Sequence, residues 1–168
     1  VVNISTRDFD SPAKMVSVGT GSFGTFNSQA LVNIPFGTSR VLLAGGYSSS
    51  KNDFRFKSDN GTSFNPDDDV WTSRRNDAFR AGNLLAKYRV LMGDSSILEL
   101  SEHVVANDKE LPGRDIVQNS RSTLGTIRSL AQAKLTMPGL AGGLFEAEPI
   151  FSHILTRERY RDPDGTVG

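Results

Sequence analysis

Residues Lys51 to Asn76 read KNDFRFKSDNGTSFNPDDDVWTSRRN, a run dense in Asp, Asn, Ser and Gly without apolar periodicity. Such a run reads as a long loop. The flanking segments, RVLLAGGYSSS (Arg40–Ser50) and AFRAGNLLAKYRV (Ala78–Val90), alternate polar and apolar residues, so the loop joins two strands at one end of a sheet. At the strands' other ends the connections are minimal. PFGTS (Pro35–Ser39) and MGDSS (Met92–Ser96) are turn-sized and rich in residues that fix or tolerate tight-turn dihedrals. Long loops at one end and short turns at the other are the asymmetry of an outer-membrane β-barrel wall.

Composition narrows the alternatives. The chain has 168 residues, 37% of them hydrophobic, enough for one ordinary core, so pattern and not size must separate a soluble domain from a membrane one. Lys plus Arg and Asp plus Glu both number 19, a balance that argues against a nucleic-acid partner. With no cysteine there is neither a disulfide framework nor a thiolate metal site. Mean hydropathy is −0.32, and runs such as VLLAGGY fall far below the roughly 18 residues of a membrane helix. A transmembrane barrel remains, because its strands show only about 10 residues of alternation and look polar on average. The chain opens on VVNISTR without a secretory leader and closes on RDPDGTVG in a turn, which suggests a piece of a longer protein.

Strands are expected at Val1–Arg7, Lys14–Ser22, Thr25–Pro35, Arg40–Ser50, Ala78–Val90, Ile97–Ala106, Thr126–Met137 and Leu144–Tyr160. Three of them are clearly two-faced. In Thr25–Pro35, Phe26, Ser28, Ala30, Val32 and Ile34 oppose Thr25, Asn27, Gln29, Leu31 and Asn33. Later, Gly82, Leu84, Ala86, Tyr88 and Val90 oppose Asn83, Leu85, Lys87 and Arg89, and Ile127, Ser129, Ala131, Ala133, Leu135 and Met137 oppose Thr126, Arg128, Leu130, Gln132, Lys134 and Thr136. Ala- and Gly-rich apolar faces, aromatics toward strand ends and membrane-crossing lengths favour a barrel over a sandwich. The polar stretch Asn107–Ser122 forms a second loop on the side of Lys51–Asp77, and Pro138–Gly143 another short turn.

GTGSFG places Gly19, Gly21 and Gly24 at the spacing of the dinucleotide fingerprint. That chemistry needs a helix to begin there, and the following residues have period two, so the glycines read as a strand connection. His103 with Ser101 and Glu146 with Glu148 share strand faces without a third group to orient them, and no enzymatic activity is expected. Phe64, Trp71, Arg74 and Arg75 give the long loop apolar area and charge for a ligand. Asp59, Asn60, Asp67, Asp68 and Asp69 are candidate Ca²⁺ ligands by oxygen type, without EF-hand spacing.

VVNISTR, VGTGSFGTFNSQA, GGYSSS leading into DNGTSFNPDDDVW and RRN, and FRAGNLLAKYRV, in this order, resemble TonB-dependent outer-membrane receptors. The resemblance implies that residues 1–7 are the last strand of the plug, 8–13 a linker, and 14–168 the N-terminal part of the barrel, an all-β antiparallel meander of about seven strands of a 22-stranded wall. It further implies energised uptake of a scarce nutrient such as an iron-siderophore, cobalamin or oligosaccharide. Its implied partners are the TonB complex, reached through N-terminal parts outside this sequence, and the lipid bilayer with lipopolysaccharide; its place is the bacterial outer membrane. The other reading from the residues is a secreted β-sandwich binding module with an acidic, calcium-binding loop.

Overall fold

The computed structural model describes residues 13–93, 95–113 and 120–165. Ten strands occur in chain order: β1 (Ala13–Gly21), β2 (Thr25–Phe36), β3 (Ser39–Ser50), β4 (Arg55–Ser58), β5 (Val70–Ser73), β6 (Phe79–Met92), β7 (Ser96–Leu111), β8 (Ser122–Gly139), β9 (Phe145–Ala147) and β10 (Ile150–Arg161). All pairings are antiparallel, and the main sheet runs β1-β2-β3-β6-β7-β8-β10, a meander with the β4–β5 hairpin inserted between β3 and β6 and the short β9 between β8 and β10. Among the described residues β1 and β10 pair on one side only, so the sheet these residues form is open.

The meander is a single layer. Leu42 is the one buried hydrophobic side chain among the described residues, while Val16, Leu84, Ile127, Phe151 and Leu155 are among the large apolar side chains left exposed. A soluble sandwich would bury such residues against a second sheet, and none faces this one among the described residues.

Register joins the apolar stripes of separate strands into one surface. The row Val32–Leu43–Ala86–Glu102–Ala131–His153 runs through six strands, and the row Ala30–Gly45–Leu84–Val104–Ser129–Leu155 lies beside it on the same side. The opposite face carries Gln29, Asn83, Lys87, Ser101, Arg128 and Gln132. The three two-faced strands of the sequence therefore turn their apolar sides the same way. Strands of 12, 12, 14, 16 and 18 residues for β2, β3, β6, β7 and β8 exceed the about 9–11 needed to cross a bilayer at a tilt.

Several expectations need correction. Lys51–Asn76 is not a structureless loop, because it holds the β4–β5 hairpin and a 3-10 turn at Pro66–Asp68. β7 runs on to Leu111 and β8 starts at Ser122, so the loop expected at Asn107–Ser122 is strand over 107–111 and again from Ser122. Leu144–Tyr160 is not one strand: β9 pairs with the end of β8 at Met137, and Pro149, which has no N–H to continue a ladder, separates it from β10. The connection after β8 is thus longer than the turn Pro138–Gly143. The short turn Ser22–Gly24 lies at the same end as both long loops. There Phe23 and Gly24 both take positive φ, 57° and 65°, and the Thr25 amide donates to the Ser22 carbonyl at 3.1 Å. This is a tight hairpin with no helix at its glycines, so the fingerprint spacing has no phosphate-binding geometry. β1 begins at Ala13, one residue inside the expected linker; the strand expected at Val1–Arg7 lies outside the described residues.

Candidate functional site: the loop end of the sheet

The β4–β5 hairpin is held by four residue pairs, from Arg55 opposite Ser73 to Ser58 opposite Val70. A two-stranded ribbon is marginal alone and needs anchoring. Phe54 supplies it, meeting Phe23 edge-on with ring centroids 6.1 Å apart and Phe56 at 6.2 Å. Arg74 extends this string, its guanidinium lying 5.9 Å from the Phe56 ring while its backbone N–H donates to the Phe54 carbonyl at 2.9 Å. The short β1–β2 turn and the long loop are therefore packed together at one point.

Beyond this anchor the hairpin offers aromatic and cationic groups to solvent. Trp71 is 64% exposed and is covered in part by Arg55, 5.8 Å from its ring centroid. Phe64 is 98% exposed near the tip. A flat indole and a guanidinium side by side suit planar or sugar-like ligands and anionic groups. Of the ligand residues expected from the sequence, Trp71 and Phe64 stand outward, whereas Arg74 packs inward on Phe56; Arg75 is itself engaged within the protein. Phe23, Arg55 and Phe56 were not among those expected. The signal was present only as Arg55-Phe56 facing Thr72-Ser73, too short to register as paired strands.

The acidic residues divide among separate tasks. Asp59 accepts from the Gly61 amide at 3.0 Å and from the Ser63 hydroxyl at 3.1 Å, which shapes the turn at Asn60 and Gly61, both at positive φ. Asp68 accepts from the Thr62 hydroxyl at 2.7 and 2.6 Å, Asp69 pairs with Lys57 at 2.9 Å, and the Asp67 amide donates to Asn65. No three acidic or histidine side chains converge as a metal-binding group among the described residues. The histidines are also apart. By register His103 lies opposite Leu130 on the polar face and His153 opposite Ala131 on the apolar face. Glu148 ion-pairs with Lys134 at 2.6 Å.

Side-chain and backbone hydrogen bonds connect the loop bases along the whole rim. Phe23 O accepts from the Lys51 amide at 3.0 Å and the Ser50 hydroxyl at 3.1 Å. Asn52 donates to Asp77 O at 3.0 Å, and Ala78 exchanges two bonds with Glu110, at 2.8 and 3.0 Å. Asn76 donates to Leu111 O and Ser122 O, and Ser122 in turn donates to Asp162 at 2.7 Å. These bonds tie the bases of the loops to one another at this end of the sheet.

Comparison of the chain with known protein families, with curated proteins and with solved structures found no match.

Proposed function

We propose that this chain is the N-terminal part of the barrel wall of an outer-membrane TonB-dependent receptor, and that its loop end contributes to capture of a scarce nutrient. The observation that carries the reading is the mainly apolar surface on one side of a single-layer meander, made by register across six strands and broken at Glu102, Ser129 and His153, with Leu42 the one buried hydrophobic side chain among the described residues. A hydrocarbon environment is the solvent in which such a face is stable, and a closed wall in which β1 and β10 pair with further strands is how its two edges are satisfied. The opposite, polar face then lines the lumen. Trp71, Arg55 and Phe64 sit outside the membrane and take part in a ligand surface for an iron-siderophore, cobalamin or oligosaccharide. Energising by a TonB complex falls to parts of the receptor that this sequence does not include.

The absence of cysteine in this chain makes a direct test available. In the complete parent protein, single cysteines at Phe64, Ala133 and Gln132 are introduced one at a time. The expected result is labelling of the Phe64 site by a membrane-impermeant maleimide on intact cells. A spin label at Ala133 should be relaxed by oxygen dissolved in lipid, and one at Gln132 by a water-soluble nickel chelate. A soluble parent, or reversed accessibilities at Ala133 and Gln132, would overturn the reading.

A further inference from the structure

On the apolar face, register places Glu102 of β7 and His153 of β10 in one row, with Ala131 of β8 between them. Along β7 the same face carries Leu100 and Val104 on either side of Glu102, and along β10 it carries Phe151 and Leu155 on either side of His153. The row is the fifth of the twelve pairs that join β3 to β6, counted from Ser39, so both groups lie inside the wall and away from either rim. Hydrocarbon has neither donor nor acceptor, and polar groups at this depth are stable only with a partner. Within the chain that need is half met. The Ser129 hydroxyl donates to one oxygen of the Glu102 carboxyl group at 2.5 Å, whereas the exposed His153 imidazole makes no hydrogen bond or ion pair with a described residue.

We infer that a second copy of the parent protein docks on this face, wall against wall within the membrane, about a two-fold axis beside Ala131 that sets Glu102 of each copy against His153 of the other. The inference rests on the membrane reading and adds an interface to it. Carboxyl and imidazole form a donor–acceptor pair whichever of them holds the proton. A two-fold contact is one patch meeting itself, so it needs a patch that carries both halves of each bond, as this one does on the two sides of Ala131. A different protein would have to bring an acid and a base of its own in the same arrangement. Strands about 4.8 Å apart put Glu102 and His153 about 10 Å from each other along the row, and a strand tilt of about 35–45° leaves each facing its counterpart with an offset of about 6 Å in depth, which the two side chains together span. Convex barrel walls touch along a seam only a few strands wide. β7, β8 and β10 make that seam, and the small Ala131 at its middle lets the two copies approach closely.

The test uses the complete parent protein, cleared of any cysteine outside this chain, in outer membranes and in neutral detergent. Ala131→Cys should cross-link to its own counterpart on oxidation with copper phenanthroline, giving a covalent dimer, and Val32→Cys, on the same face but four strands away, should not. Sedimentation equilibrium in detergent should show a dimer. Glu102→His or His153→Glu alone sets like against like at two symmetric contacts and should weaken the dimer about tenfold, and the double exchange E102H/H153E should restore it. A parent that is monomeric in detergent and not cross-linked at Ala131→Cys in membranes overturns the inference, as does equal cross-linking at Val32→Cys, a dimer of either single variant within twofold of wild type, or a double exchange no better than the single ones. Cross-linking of Ala131→Cys to a different protein of fixed mass overturns the assignment to a second copy. Where an exchanged variant fails to insert, the Ala131→Cys cross-link and the sedimentation of the wild type decide, since neither alters Glu102 or His153. A soluble parent overturns the membrane reading itself, whereas an inserted monomer overturns the interface alone.

Discussion

The side-chain amide of Asn76 donates to the carbonyl oxygen of Leu111 across 2.7 Å, so the base of the first long loop is fastened to the strand that leads into the second. The same amide reaches Ser122 O at 3.0 Å, where that second loop ends. Asn76 itself sits at a φ of 53°, a left-handed conformation that Asn tolerates better than most residues. Backbone shape and hydrogen bonding thus point to the same residue type.

Asn76→Gly keeps the backbone conformation and removes the amide, and is expected to cost about 1–3 kcal/mol for two part-buried carbonyls left without this donor. Asn76→Ala should cost about 1 kcal/mol more from the left-handed backbone. Urea titration of the refolded parent gives the energies, and amide exchange at Leu111 and Ser122 gives the location. Unchanged exchange there in the glycine variant would show that the two loops are held by other contacts.

Face assignment makes a sharper prediction. Ala131 and Ala133 lie in the apolar rows with Glu102 and Leu100, and Gln132 lies in the polar row with Ser101. Arg at Ala131 or Ala133 is expected to destabilise the inserted barrel by about 2–4 kcal/mol near the bilayer midplane, and Arg at Gln132 to be nearly silent. Refolding titrations into liposomes measure both. Glu102 shares this face and accepts from the Ser129 hydroxyl at 2.5 Å, so Ser129→Ala should also destabilise insertion by leaving the Glu102 carboxyl group without its partner on the apolar face.

How much of this was legible in the sequence follows from what each element depends on. β2, β6 and β8 alternate apolar and polar residues, and their faces could be read because period two is local information. β7 was read short because from Asn107 to Leu111 both faces are mostly polar, and only pairing with β6 and β8 keeps those residues in a strand. The β4–β5 hairpin was missed for a related reason: four-residue strands carry too few alternations, and their partnership depends on Phe54 packing against Phe23, a contact distant in sequence. Trp71 and Phe64 stood out in the sequence because large apolar residues in a polar run are conspicuous, and both side chains are exposed. The role of Asn76 was not, since an Asn among Arg and Asp has no local mark of the two carbonyls it will meet. The hydrogen bonds within the acidic cluster were not legible either, since nearness in sequence carries no mark of the separate partners that turn geometry gives Asp59, Asp68 and Asp69.

Acidification should loosen the end of the sheet at a specific place. Arg121 donates through Nε to Asp164 at 2.8 Å and makes a second bond through its terminal nitrogen, joining the entry of β8 to the residues after β10. This hydrogen bonding holds the Asp164 carboxyl below its ordinary value, and it raises the Arg121 guanidinium in turn. A depressed carboxylate contributes stability above its unfolded value and loses it as pH falls through the folded one. Exposure of both groups to solvent keeps the effect small. Protease sensitivity at the 120–122 segment should therefore rise on the acid side of the ordinary aspartate range, and Asp164→Asn should be sensitive at neutral pH with no further change on acidification. Equal pH profiles for the two proteins would show that the pair does not hold this end.

The last prediction concerns the hairpin. Closing the gap between β3 and β6 does not require it, since loop-closure cost grows only logarithmically with length and a short turn would join the strands. Yet it is folded, anchored through Phe54 to Phe23, and presents Trp71 at 64% and Phe64 at 98% exposure. A long insertion that spends backbone order to expose aromatic rings has a use outside the wall. Replacing Phe54–Ser73 in the complete parent by a short Asn-Gly linker is expected to leave surface abundance unchanged and to weaken substrate binding. Trp71→Ala should weaken binding with the hairpin intact, and Phe54→Ala should weaken it by releasing the anchor. Trp71→Ala acts on affinity alone, whereas Phe54→Ala should also raise amide exchange across Arg55–Ser58. Surface abundance and binding per molecule are measured on the same cells. Collapse of abundance with unchanged binding per molecule would make the hairpin a folding element of the wall, and the assignment of its aromatic residues to ligand capture would be wrong.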